Sequence, residues 1–246
     1  MSARHAAIWA RLGKKFYEEQ RYDEALAAYD RSVRLDPTRK DVFRERGHTL
    51  SALKRYEEAL SSYELAITID PRDARGYVGK GHALAELGRH DEALTAYDRA
   101  IRQNPRNVMA HHHRGRLLSQ MQRDDEAIAA YDRAIELEPY EASHRYRQAD
   151  LLYAHQRYVE SLATLEPLIE IDPYSVGLYQ NQAAALNGLG RYDEALTVLD
   201  YALRLDSDKA EVYRLKGDAL AALGRKEEAE AAYQQAKERK DGPFGA

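Results

Sequence analysis

The sequence predicts an all-α fold, an α-solenoid of seven tandem helix–turn–helix units with about 14 helices. The first observation behind this is a fixed period: Pro37, Pro71, Pro105, Pro139 and Pro173 follow one another at steps of 34 residues. The second is that unrelated residue types keep the same step. Arg21, Arg55, Arg89, Arg123, Arg157, Arg191 and Arg225 form one register, and Glu24, Glu58, Glu92, Glu126, Glu160, Glu194 and Glu228 form another. Tyr29, Tyr63, Tyr97, Tyr131 and Tyr233 form a third, with Leu165 and Leu199 in its two gaps. The third observation is that apolar residues inside a unit are spaced for helices, not strands.

Within the first unit, Ile8, Trp9, Leu12 and Phe16 mark a leading helix, and Ala25, Leu26, Tyr29, Val33 and Leu35 mark a second one. Acids such as Asp23 and Glu24 open the second helix, where the N-terminal end of the helix dipole favours negative charge. Breakers such as Gly88-Arg89, Gly190-Arg191 and Gly224-Arg225 separate the halves. Proline after the second helix ends it, because its ring cannot continue a helix interior. The expected organisation is a leader at 1–5, an array at 6–240 with units starting at 6, 40, 74, 108, 142, 176 and 210, and a tail or linker at 241–246. Units five and six differ: Ala149 and Ala183 replace glycine, Leu165 and Leu199 replace tyrosine, and Pro167 should bend its helix. In the last unit, Glu230 and Lys237 stand where earlier units carry Leu196 and Leu203, as expected of an end that faces water. Lys15 and Glu19 mirror this in the first unit, so the array reads as a complete folding unit.

The 246 residues carry a net charge of −4, which argues against a nucleic-acid partner. There is no cysteine, hence no disulfide framework, thiolate metal site or cysteine nucleophile. No apolar stretch reaches the length of a membrane span, and the N-terminus lacks the apolar core of a signal peptide. The expectation is a cytoplasmic protein that does not engage membranes.

These residues resemble the tetratricopeptide repeat family. The first unit supplies Trp9, Leu12, Gly13, Phe16, Ala25, Tyr29 and Pro37, with Ser32 in place of one alanine. The third supplies Tyr77, Gly81, Leu84, Ala93, Tyr97, Ala100 and Pro105, and the fourth Gly115, Leu118, Ala127, Tyr131, Ala134 and Pro139. The resemblance covers residues 6 to about 240. It implies a right-handed superhelix whose small residues let helices cross closely, with Gly13, Gly47, Gly81, Gly115 and Gly217 approached by the second helix at Ala25, Ala59, Ala93, Ala127 and Ala229.

The resemblance also implies a use: an extended peptide or partner helix held in the concave surface formed by the leading helices. Carried over residue by residue, the peptide-binding positions are Lys14, Arg44, His48, Arg75, His82, His112, Arg116, Tyr146, Arg147 and Asp150. The first four units set Lys14, Arg44, His48, His82, His112 and Arg116 inward, diluted by Asp41, Glu45 and Glu86 at the border, where His113 also stands. A locally basic groove on an acidic protein suits an acidic peptide. The carboxylate clamp of chaperone-binding arrays is absent, since Asn181 lies among Tyr146, Asp150, Glu211 and Leu215. The function expected is a non-enzymatic scaffold for protein–protein interaction, monomeric by itself. The alternatives are an accessory domain that recruits substrates to an enzyme or multiprotein complex, and a self-associating structural array.

Catalytic signatures are missing. Gly76-Tyr77-Val78-Gly79-Lys80-Gly81 lacks the spacing and hydroxyl residue of a phosphate loop and falls in a helix. The acidic pairs recur once per unit at helix starts. No cofactor is implied. His48, His82 and His112 or His113 come from adjacent units, but three ligands on separate helices need matched geometry and supporting partners, so no metal is expected. Because histidine titrates near neutrality, an acidic ligand should bind more tightly as pH falls from about 7.5 to 6.

Overall fold

The structure, a computed structural model, describes residues 2–240 and the side chains of residues 3–239. The expected tail at 241–246 and Met1 of the expected leader lie outside the described residues. Among the described residues there are fifteen helices and no strand. They fall into two compact units, one ending at Leu137 and one starting at Glu138.

Unit 1 holds four helical hairpins: α1 (Ser2–Glu18) with α2 (Tyr22–Leu35), α3 (Lys40–Ala52) with α4 (Tyr56–Ile69), α5 (Ala74–Glu86) with α6 (His90–Gln103), and α7 (Val108–Gln120) with α8 (Asp124–Leu137). Helix α1 begins at Ser2, so residues 2–5, expected as a leader, are its first turn. Each helix packs on the next, and α1, α3, α5 and α7 also pack side by side. Unit 2 holds three hairpins: α9 (Ala142–Ala154) with α10 (Tyr158–Leu165) and α11 (Leu168–Ile171), α12 (Val176–Gly188) with α13 (Tyr192–Leu205), and α14 (Ala210–Ala222) with α15 (Lys226–Lys240). Pro167 does more than bend the fifth second helix. It splits it into α10 and α11, because a proline nitrogen cannot donate to the preceding turn.

The glycine register is met by a tyrosine ring of the second helix. A side chain at Gly13 would meet the ring of Tyr29 at 2.7 Å, one at Gly47 the ring of Tyr63 at 2.6 Å, and one at Gly81 the ring of Tyr97 at 2.6 Å. The tyrosine of the second helix thus fills the space of the missing Cβ, and Tyr29, Tyr63, Tyr97 and Tyr131 are almost wholly buried. This accounts for the paired departures in units five and six. Where the tyrosine becomes Leu165 or Leu199, the leading helix carries Ala149 or Ala183, and all four are buried in their unit's core. A smaller partner leaves room for one methyl group.

The two charged registers are one interaction. Each arginine stands just before its second helix and forks onto the glutamate three residues on, as Arg21 does with Glu24 at 2.8 and 2.6 Å. The same fork joins Arg55–Glu58, Arg89–Glu92, Arg123–Glu126, Arg157–Glu160, Arg191–Glu194 and Arg225–Glu228. These pairs are exposed and contribute little to stability, but they fix the angle at which the chain enters the helix. A second ladder ties neighbouring hairpins: Arg46 to Asp30 at 2.7 Å, Lys80 to Glu64 at 2.8 Å, Arg114 to Asp98 at 2.9 Å and, in unit 2, Lys216 to Asp200 at 2.6 Å. On α15, Glu230 and Lys237 are exposed.

The turn inside every hairpin needs one residue in the left-handed region, and the 6→1 bond from Arg21 N to Phe16 O shows why: the chain must reverse to satisfy the last carbonyls. Gly88, Gly190 and Gly224 adopt φ of 73 to 77° there, whereas Gln20, Lys54, Gln122 and Gln156 adopt 58 to 60° with a Cβ in the way. Gln156→Gly should therefore raise stability by about 0.5–1 kcal/mol and Gly88→Ala lower it by a similar amount, both read by urea denaturation. A second outcome tests the paired registers. Leu199→Tyr alone should cost about 1–3 kcal/mol through overpacking against Ala183, and adding Ala183→Gly should recover most of it. Additive losses would mean that the two positions do not share one space.

Candidate functional site

The leading helices of unit 1 line an open cavity of about 630 Å³. Of the expected binding residues, Arg44, His48, Arg75 and His82 line it together. His113, expected at the border of the groove, lines it as well, together with Tyr17, Tyr63, Gly79 and Met109, which the sequence does not assign to it. The visible signal was Gly79. At its place in the unit, the other repeats carry Arg11, Glu45, His113, Arg147, Asn181 and Leu215, so α5 alone presents no side chain there. Tyr63 belongs to a second helix and enters the floor only because its ring lies between Gly47 and Gly79.

The cations of this face are largely compensated. Arg44 is buried, with Nη1 donating to Asp73 Oδ2 at 2.9 Å and Nη2 to Glu45 Oε1 at 3.0 Å. Arg75 donates to both oxygens of the same Asp73, at 3.0 and 3.1 Å, while its own side chain is 64% exposed. Burial alone would raise the Asp73 carboxyl, but the hydrogen bonds from Arg75 and the charge of Arg44 outweigh it and hold it below its ordinary value. Asp73 also caps α5 through the Arg75 backbone N–H, so one carboxylate organises the helix start and both guanidinium groups.

Lys14, His112 and Arg116 belong to unit 1 but do not line the cavity. Lys14 is exposed beside Glu18 at 3.8 Å. Arg116 lies 3.9 Å from Glu86, which His82 also approaches at 3.9 Å. His112 packs edge-on against His113 and Tyr131. Tyr146, Arg147 and Asp150 belong to unit 2. Tyr146 shares a hydrogen bond of 3.0 Å with Ser175, and Arg147 is exposed. Asp150 lines a smaller cleft of about 180 Å³ with Tyr153, Asn181 and Arg214. It accepts from Asn181 Nδ2 at 3.2 Å, and desolvation raises its carboxyl against the pull of Arg147.

His48, His82 and His113 are shifted toward the neutral form by burial. Burial lowers His48, outweighing the pull of Glu45, and lowers His82 against Glu86. Burial takes His113 down to about 3, helped by His112 and Arg116. Lowered values at His48, His82 and His113 move the expected tightening of an acidic ligand toward more acid pH. The rings form a connected wall: His48 Nδ1 lies 3.0 Å from the Tyr63 hydroxyl, His82 meets His113 edge-on at 6.0 Å, and His113 stacks on Tyr97 at 6.1 Å. Among the described residues, no three His, Cys, Asp or Glu side chains are disposed to hold a metal ion, and no helix is long and apolar enough to cross a membrane.

The family model described as tetratricopeptide repeat matches residues 2–40, 10–74, 41–108, 78–142, 112–176 and 181–245. The chain belongs to the tetratricopeptide repeat family. No curated protein matches it. Among solved structures, a tetratricopeptide repeat protein from Parabacteroides merdae is 21% identical with a TM-score of 0.65, over 98% of this chain and 95% of that one. PilF of Pseudomonas aeruginosa is 18% identical with a TM-score of 0.70, over 86% of this chain and 96% of that one. YrrB, a tetratricopeptide repeat protein with an unusual peptide-binding site, is 21% identical with a TM-score of 0.63, over 75% of this chain and 95% of that one. At these identities the likeness is one of fold.

The burial of the histidines sets a sign for acid. Each folded-state pKa lies below the ordinary 6.5, so the unfolded chain takes up the proton first. Their contribution to stability is complete above the ordinary value and declines as pH falls through 6.5, levelling for His113 only below about 3. The slope is at most about 1.4 kcal/mol per pH unit per group. Ring-proton NMR titration should place the midpoints of His48, His82 and His113 below the ordinary value, and His113→Gln should flatten the fall in stability between pH 6.5 and 5. A midpoint near 7 for His113 would contradict its burial.

Proposed function

We propose that this chain is a non-enzymatic interaction module that holds an extended segment of a partner protein against the leading helices of unit 1. The observation that carries this is the cavity walled by Arg44, His48, Arg75 and His82, whose volume of about 630 Å³ is that of a ligand site rather than a packing defect. Its walls offer hydrogen-bonding and apolar surface, and the one hydroxyl held by an imidazole, Tyr63 beside His48, is spent on packing and 1% exposed, so the reading is binding without turnover. Family membership supports a protein or peptide partner, and YrrB supports a peptide as the form it takes.

The preferred segment carries acidic residues, with the pull concentrated where Arg75 is exposed rather than spread over the groove, because Arg44 is already occupied by Asp73 and Glu45. A net charge of −4 works against nucleic acid as the alternative polyanion. We further propose that the chain is a monomer when unliganded; sedimentation at varied concentration would reveal self-association.

Peptide display on the pure protein, followed by anisotropy with the selected sequences, tests the proposal. Arg75→Glu should weaken the selected peptides about three- to tenfold and reduce the salt dependence of binding while leaving the helical circular dichroism unchanged. Arg44→Glu is unsuited to this purpose, since it would crowd a third carboxylate against Asp73 and Glu45. Selected peptides that bind Arg75→Glu as well as wild type would place the site elsewhere.

A further inference from the structure

The groove floor has one flat spot, and its surroundings specify what fits there. At Gly79 the α5 backbone is bare, and a Cβ would collide with the ring of Tyr63. The Tyr63 ring is itself 1% exposed, so it is a rigid floor rather than a lid. Around this spot stand Tyr17, His48, Val78, His82 and His113, with the thioether of Met109, 52% exposed, at the mouth. The walls are therefore ring edges, ring faces and a polarizable sulfur, which favour a planar aromatic guest over a branched aliphatic one.

The polar character of the walls narrows the guest further. The imidazoles of this cavity are neutral near pH 7 through burial, so they can donate and accept without demanding a counter-charge. His82 is partly accessible, its side chain 35% exposed. Behind it, His113 Nδ1 and the Tyr97 hydroxyl are buried without a hydrogen-bond partner, an unsatisfied pair at the back of the wall. A phenol hydroxyl or an indole N–H suits such a wall, and a fully charged group does not. Arg75 lies on the same cavity with its guanidinium exposed, which sets an acidic neighbour beside the aromatic residue.

We propose that the hollow bordered by Tyr17, His48, His82 and Met109 is an anchor subsite for one tyrosine or tryptophan side chain of the bound segment, with an adjoining acidic residue drawn to Arg75. This rests on the reading of unit 1 as a peptide groove and adds the residue that decides specificity. The cavity has room for an aromatic residue and part of its neighbour, since its volume of about 630 Å³ lies well above that of one side chain. Gly79 holds the base of the hollow in place, since a Cβ there would meet the buried Tyr63 ring at 2.3 Å and force it to move.

The test uses the full chain and acetyl-Gly-Gly-X-Asp-Gly-Gly-amide peptides with X as Trp, Tyr, Leu or Lys, measured by calorimetry and by chemical shifts of the histidine rings. The Trp and Tyr peptides should bind at least tenfold more tightly than the Leu and Lys peptides and should shift His48, His82 and His113. Gly79→Leu should abolish that preference. Since Gly79→Leu also presses on Tyr63, Met109→Trp serves as a second variant that crowds the mouth from an exposed position and should reduce the preference several-fold. Equal binding of the Leu and Trp peptides at the same histidines would overturn the anchor and leave the groove standing. Failure of all four peptides to bind would overturn the groove and the anchor together.

Discussion

Each hairpin depends on how closely its second helix can approach its first, and that distance is set by one buried side chain resting on one missing or minimal one. In unit 1 the side chain is a tyrosine ring and its seat is a bare α-carbon, as with Tyr29 on Gly13 or Tyr97 on Gly81. Burying an aromatic ring of this kind stabilises by about 1.5–3 kcal/mol, and truncating it costs about 3–5 because the space cannot collapse. Leu165 with Ala149 and Leu199 with Ala183 solve the same problem with volume moved from one helix to the other. The exposed arginine–glutamate forks and the inter-hairpin ion pairs then refine orientation, a role that needs geometry more than energy.

The same constraint shapes the groove. Tyr63 reaches the floor because it is clamped between glycines of two successive leading helices, Gly47 and Gly79. A residue chosen for packing thereby becomes part of a binding surface. Charge plays a smaller part than a count of basic residues suggests. Asp73 receives both Arg44 and Arg75, and Glu86 lies between His82 and Arg116, so the face presents shape, ring surface and one exposed guanidinium. Pre-paired charges hold the walls still, and a rigid wall loses little entropy when a ligand arrives.

Much of the fold was legible in the chain. The 34-residue registers reflect repeated backbone geometry, and geometry that repeats must be written into residues that repeat. The leading helices begin at Lys40, Ala74, Val108, Ala142, Val176 and Ala210 because the same turn precedes each. Four of the expected binding residues, Arg44, His48, Arg75 and His82, line one cavity for the same reason. The glycine register was legible but the tyrosine ring that meets it was not, since spacing along a helix says which face a residue shares and not how far a ring from the other helix extends. Residues 2–5 join α1, and Pro167 goes beyond the expected bend to divide its helix, both being outcomes of local packing that no register encodes.

The sequence by itself determined the repeat, the helix pairs and the family, because each depends on contacts within about one unit of chain. Only the tertiary structure decided that Arg44 is paired with Asp73 and Glu45, that burial lowers His48, His82 and His113, and that the Tyr63 ring is held between Gly47 and Gly79. These depend on desolvation and on neighbours 15 to 29 residues away, such as Tyr63 beside His48, Asp73 beside Arg44 and Gly79 against Tyr63. Burial is a property of the packed whole, so a residue's charge state and its share in a cavity exist only once the helices have closed around it.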